Sequence, residues 1–258
     1  MIPLHWHTEP TLLLSLLFSG WLYALLTGPL RNRIAPGAPA TPGRSLAFYA
    51  GLALIYCAVG SPLDQLGEDF LFAAHMLQHE LIIYPIPLLI YAGMPHWLVD
   101  AVLRHRRIRG LISLLAQPAI GATLFTLCFS LWHVPAFYVA ALQSKSIHVL
   151  EHVSLFITAL MVWWSFLSPS RLLPAKQHGV QLLLVFVLMV GQLPLFGFLS
   201  FASEVLYLPY AYAPRLAFFD ISPLSDQILG GVVMKVCNMI VSLSLLGWIF
   251  YRWQKASE

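Results

Sequence analysis

Charge is scarce in this sequence. Asp, Glu, Lys and Arg make up 10% of its 258 residues, where a soluble domain averages about 25%. With 59% apolar residues, a water-soluble fold has too little polar surface to cover itself. Long polar stretches are lacking as well. No segment between the apolar runs reaches the roughly 50 residues of a small domain, so residues 1–258 read as one transmembrane domain with residues 1–10 as its tail. Cysteine is nearly absent, and Cys57, Cys128 and Cys237 stand singly in separate apolar runs. That spacing excludes a CxxC chelate and predicts buried free thiols. The first ten residues lack a basic n-region and the apolar run after them is too long for a leader, so no cleavable signal is expected. The dyad alternation of a barrel is missing too. A spanning backbone must satisfy its own hydrogen bonds, which leaves helices.

What is present is a series of apolar runs. A helix needs about 20 apolar residues to cross a hydrocarbon layer roughly 30 Å thick. Seven segments qualify: Thr11 to Leu30, Ser45 to Gly60, Phe70 to Gly93, Leu111 to Val134, Ile147 to Leu167, Val180 to Ala202 and Gln227 to Tyr251. The predicted fold is an all-α, polytopic membrane protein with seven transmembrane helices. Alternate connections carry the cations, at Arg31, Arg33 and Arg44, then Arg104, Arg106, Arg107 and Arg109, then Arg171 and Lys176, then Arg252 and Lys255. The opposite connections hold only Lys145 and Arg215. By the positive-inside rule the N-terminus is outside and the C-terminus cytoplasmic. The net charge of +3 is therefore a topology signal, and no nucleic-acid partner is expected. Pro95 to Arg109 reads as an amphipathic interfacial helix whose arginines meet anionic headgroups.

Two short echoes run through the chain. Ser61-Pro62-Leu63-Asp64 resembles Ser222-Pro223-Leu224-Ser225-Asp226 ahead of the third and seventh spans, and His75 to His79 resembles His148 to His152. In the first, Ser or Asp caps the following helix, or Asp64 and Asp226 collect cations at the outer face. Pro85, Pro87, Pro118 and Pro194 predict kinks. Trp97, Trp163, Trp164, Trp248 and Trp253 fit an inner aromatic belt, Trp6 and Trp132 an outer one.

Ionisable groups inside a bilayer cost roughly 2.5 to 3.5 kcal/mol each on insertion scales, and this chain concentrates them. His75 and His79, four apart, share one helix face with Gln78 beside them. His148, Glu151 and His152 repeat the arrangement. At about 1.5 Å per residue, His75 and His79 lie roughly 8 and 14 Å below the outer surface. His148, His152 and His133 fall in the same layer, on two further helices. Paired imidazoles one turn apart are the geometry by which helices chelate metal, so these five histidines are the predicted ligands. Gln78 and Glu151 are expected to orient the imidazoles. Met76 and Met234 are possible thioether ligands or packing. His96, His105 and His178 read as solvated. His5 and His7 read as a flexible tail able to capture metal. Imidazole suits copper, zinc, iron and nickel alike, with copper highest in affinity.

At these residues the chain resembles the CtaG_Cox family of cytochrome c oxidase assembly factors. The resemblance rests on Ser61-Pro62-Leu63-Asp64, Phe72 through His75-Met76-Leu77-Gln78-His79-Glu80, Trp132-His133-Val134-Pro135, His148 through Glu151-His152, and Asp226-Gln227 through Gly231 to Met234. It departs from the pattern at Lys235, where an aromatic residue commonly follows the methionine. The resemblance implies copper delivery to a haem-copper oxidase in the bacterial inner membrane, a metal site near the periplasmic face, an oxidase subunit as client, and another copper chaperone as donor. Such a role needs no catalytic turnover. Two other readings stay open: a membrane cytochrome with axial histidines, and a metal or proton permease using Glu80, Glu151 and Lys235. The aromatic loop Glu204 to Asp220, with Tyr207, Tyr210, Tyr212, Phe218 and Phe219, either covers the site, faces a client or packs at the interface.

Overall fold

The computed structural model describes residues 5–216 and 220–257. These residues form an all-helical bundle. In chain order the helices are α1 (Pro10–Thr27), α2 (Arg31–Ile34), α3 (Pro42–Val59), α4 (Pro62–Asp69), α5 (Phe72–Ile83), α6 (Pro85–Gly93) and α7 (His96–Leu103). They continue as α8 (Arg106–Leu115), α9 (Pro118–Trp132), α10 (Pro135–Gln143), α11 (Lys145–Leu167), α12 (His178–Ser200), α13 (Leu208–Tyr212) and α14 (Pro223–Ser257). Among the described residues five helices are long and apolar enough to cross a membrane, and two bent pairs bring the candidate spans to as many as seven.

The prolines explain the breaks. Pro85 lacks an N–H and ends α5 at Tyr84, so the third predicted span is two helices, α5 and α6. The chain then turns by 89° into α7. The fourth predicted span needs correction at its start. Leu111 to Leu115 belong to the amphipathic α8, which meets α9 at 64°. Pro118 opens α9 instead of kinking it, because the first turn of a helix tolerates the missing donor. Helix α12 runs unbroken through Pro194.

Helix α5 is the hub, packed against α14, α4, α11, α6 and α3. Small residues allow this. A Cβ at Gly67 of α4 would stand 2.9 Å from the His75 Cα, so only glycine lets α4 lie against the start of α5. Across the bundle, Asp226 of α14 accepts hydrogen bonds from the Phe72 and Ala73 N–H groups at 2.7 and 3.1 Å. It therefore caps α5, another helix, while Ser222 and Ser61 cap the helices they precede. The two Ser-Pro-Leu echoes thus diverge: one carries a cap for a distant helix, the other leads into the separate α4.

Helix α1 packs mainly on α3 and buries only Gly20 and Tyr23. The Tyr23 hydroxyl donates to the Gly93 carbonyl at 2.8 Å and its ring stacks on Phe48 at 4.0 Å. Several tryptophans are not belt residues. Trp163 and Trp164 are buried and donate to the carbonyls of Ile83 and Leu173, and Trp132 is buried with its indole on Ser154. Inward orientation satisfies each N–H where lipid would leave it unpaired. The cysteines are free, as expected, but not buried: Cys57 is exposed, Cys128 and Cys237 half-buried.

Candidate metal centre

Helical periodicity puts His75, Met76 and His79 of α5 and His148, Glu151 and His152 of α11 on facing surfaces. His133 enters from the end of α9. All five imidazoles converge. Ring centroids are 4.4 Å apart for His75 and His79, 4.2 Å for His148 and His152, and 5.2 Å for His75 and His148. Between helices, His79 stands 5.4 Å from His152 and 5.6 Å from His133. His75, His79, His133 and Glu151 are at most 1% exposed, and His148 is 5% exposed. Single ligand atoms from His75, His148, Glu151 and His152 all lie within 4.8 Å of one another. His79 joins through His75, their Nε2 atoms being 2.9 Å apart.

Glu151 is the carboxylate at the centre of this cluster. Its Oε2 is 3.7 Å from His75 Nε2 and its Oε1 3.5 Å from His79 Nε2, too long for hydrogen bonds. Both oxygens, His75 Nδ1, His79 Nδ1, His148 Nε2 and His152 Nε2 are buried without hydrogen-bond partners. Each such group costs about 1–3 kcal/mol of desolvation, so several of them within one cluster of side chains need a compensating partner. A cation meets that need: imidazole nitrogens ligate divalent ions at about 2.0–2.1 Å, compatible with the observed separations.

His133 adds a second observation. Its Nδ1–H donates to the Phe129 carbonyl at 2.6 Å, so the neutral ring presents a bare lone pair at Nε2. That nitrogen faces the Met76 thioether 3.3 Å away. Two acceptors pointed at one another do not attract. A soft cation between them would make the arrangement favourable.

Other predicted residues fall elsewhere. Gln78 does not orient the imidazoles. Its amide donates to the Ala58 carbonyl at 2.9 Å and to Asp64, bracing α5 against α3 and α4. Asp64 caps nothing; it receives Gln78 and stands 3.2 Å from His7 Nε2. The described part of the tail is held in place, because His7 N–H bonds to the Gly60 carbonyl at 2.8 Å and Trp6 stacks on Tyr56 at 5.5 Å. Met234 is buried in the apolar core. Lys235, which stands where the motif expects an aromatic residue, places its Nζ 5.3 Å over the Phe196 ring. His96 is half-buried beside Arg44 at 3.2 Å and is not solvated, whereas His105 is exposed.

The aromatic loop covers the cluster. Tyr207 donates to the His133 carbonyl at 2.7 Å, and Tyr210 bonds Tyr138 at 2.8 Å and the Gly67 carbonyl at 2.6 Å. Burial raises the Tyr138 and Tyr210 hydroxyls well above the usual phenol range, so both stay protonated donors. Tyr138 in turn packs its ring 5.1 Å from His75. Tyr212 is exposed, and Phe218 and Phe219 lie outside the described residues. Sequence reasoning missed Tyr138 and Glu68, which pairs with His148 Nδ1. The signal for Glu68 was its i+4 spacing from Asp64, which puts both carboxylates on one face of α4.

Fold and site define a multi-pass helical membrane protein with a buried candidate metal centre. Residues 21–256 match the family described as cytochrome c oxidase caa3 assembly factor (Caa3_CtaG), and the chain belongs to that family. No curated protein and no solved structure shows a significant match.

Proposed function

We propose that the protein binds copper at this centre and delivers it to a nascent haem-copper oxidase. Family membership supports the oxidase as client. The set of buried donor atoms without partners around Glu151 carries the copper reading. His75, His79, His133, His148, Glu151 and His152 are the ligands of this proposal, with Met76 joining through His133. Imidazole and thioether without thiolate hold copper firmly yet allow exchange, which suits transfer over storage. The cation distribution supports an inner-membrane protein with its N-terminus and metal site outside, at the periplasmic face. Another copper chaperone is the donor in this scheme. For the neighbouring ring pairs bis-histidine haem is disfavoured, since axial rings on opposite faces of a porphyrin must stand further apart than their 4.2–5.8 Å centroid separations.

The test is the copper content of the client. Oxidase purified from cells carrying His79→Ala and His152→Ala should lack copper and regain it when the medium is supplemented. Fully loaded oxidase from unsupplemented mutant cells would reject the proposal.

A further inference from the structure

A second group of ligand atoms lies beside the first. Asp64 and Glu68 of α4 and His148 of α11 each place one ligand atom within 4.8 Å of the other two. His7 adjoins Asp64 at 3.2 Å. These residues line one wall of a cleft of about 570 Å³ between α1 and α11, and His152 borders it as well. Its other walls are mostly apolar, from Leu12 and Leu16 to Ile55 and Phe156, with Ser15 and Ser19 of α1 and, at the rim, Lys145 held by Glu9. Helix α1, which closes it, is the least anchored of the long helices.

His148 belongs to both groups. Its Nδ1 faces Glu68, and its buried Nε2, on the far edge of the ring, has no partner. A single imidazole thus has one nitrogen committed to the carboxylates and one free for the histidine cluster. The two groups also differ in chemistry. Carboxylates and one imidazole suit a hard or borderline divalent ion, whereas the inner set is rich in nitrogen with a thioether at its edge.

Resting on the copper reading of the inner cluster, we infer that Asp64, Glu68 and His148 form an outer admission site for a divalent cation, passed inward through His148. The half-exposed Glu68 is the group that meets the ion first. No change of oxidation state is part of the inference. Only ligand exchange is required: the ion leaves Nδ1 and is rebound at Nε2, and the imidazole proton moves the other way, from Nε2 to Nδ1.

Purified full-length protein, equilibrated with Zn(II) and separately with Cu(II), tests this by metal analysis. In the His79→Ala/His152→Ala background, which leaves the outer group intact, one ion should remain bound. Adding Glu68→Gln, isosteric and partly exposed, should weaken that ion about tenfold or more. In an otherwise wild-type chain, Glu68→Gln should slow loading of the inner site by a similar factor without lowering its final occupancy. No ion in the double-alanine protein, or an ion indifferent to Glu68→Gln, overturns the outer site while the inner reading stands. An unchanged ion count on removing His79 and His152 instead overturns the inner reading.

Discussion

Replacing Glu151 by Gln should have opposite effects on the empty and the loaded protein. The nearest neighbours of Glu151 in the empty protein are imidazoles. The carboxylate sits fully buried with both oxygens unbonded. An ionised group in that position costs several kcal/mol even after relaxation. Its imidazole neighbours at 3.5 and 3.7 Å return only part of this. A neutral amide costs about 1–3 kcal/mol when unsatisfied and can donate to a nearby ring nitrogen, so the apo protein should gain about 2 kcal/mol. For a chain of this size that raises Tm by roughly 4–8 °C. A bound cation, however, loses the charged ligand of the inner group, and affinity should fall about 10–100-fold. Thermal unfolding in detergent with and without copper reads both signs on one sample. A variant that is less stable when empty and binds copper as well as the wild type would refute the reasoning, since Glu151 would then be a structural group.

Three further outcomes follow from the geometry. Asp226→Ala removes both acceptors from the start of α5 and should cost about 3 kcal/mol, with Asp226→Asn costing roughly half, as measured by thermal unfolding. Met76→Leu conserves volume and should change stability by less than about 1.5 kcal/mol, yet weaken Cu(I) more than Zn(II) in competition titrations, because only the soft ion uses the thioether. Gly67→Val drives a side chain into the His75 backbone and should destabilise by about 1–3 kcal/mol, with metal content falling in parallel.

The sequence carried the spans and the histidine layer because both are periodic. Apolar runs of spanning length and imidazoles four apart survive as one-dimensional patterns, and α5 and α11 place His75, His79, His148 and His152 as that pattern implies. What it did not carry depends on contacts between distant segments. Gln78 lies beside His79 in projection, but its amide is taken up by Asp64 and the Ala58 carbonyl. Asp226 resembles a local cap and instead serves a helix 154 residues away. His7 reads as part of a loose tail by composition, and only the fold brings Gly60, Tyr56 and Asp64 to hold it. Trp132, Trp163 and Trp164 fit belt positions by depth, but their N–H groups find partners inward.

X-ray absorption at the copper edge of the loaded, purified protein is the most direct measurement. Copper in the wild-type protein should be coordinated mainly by imidazole nitrogen at about 2.0 Å, and nitrogen scattering should fall in His79→Ala/His152→Ala. A copper-free protein after loading, or a sulfur-only shell unaffected by those substitutions, would contradict copper ligation by these histidines.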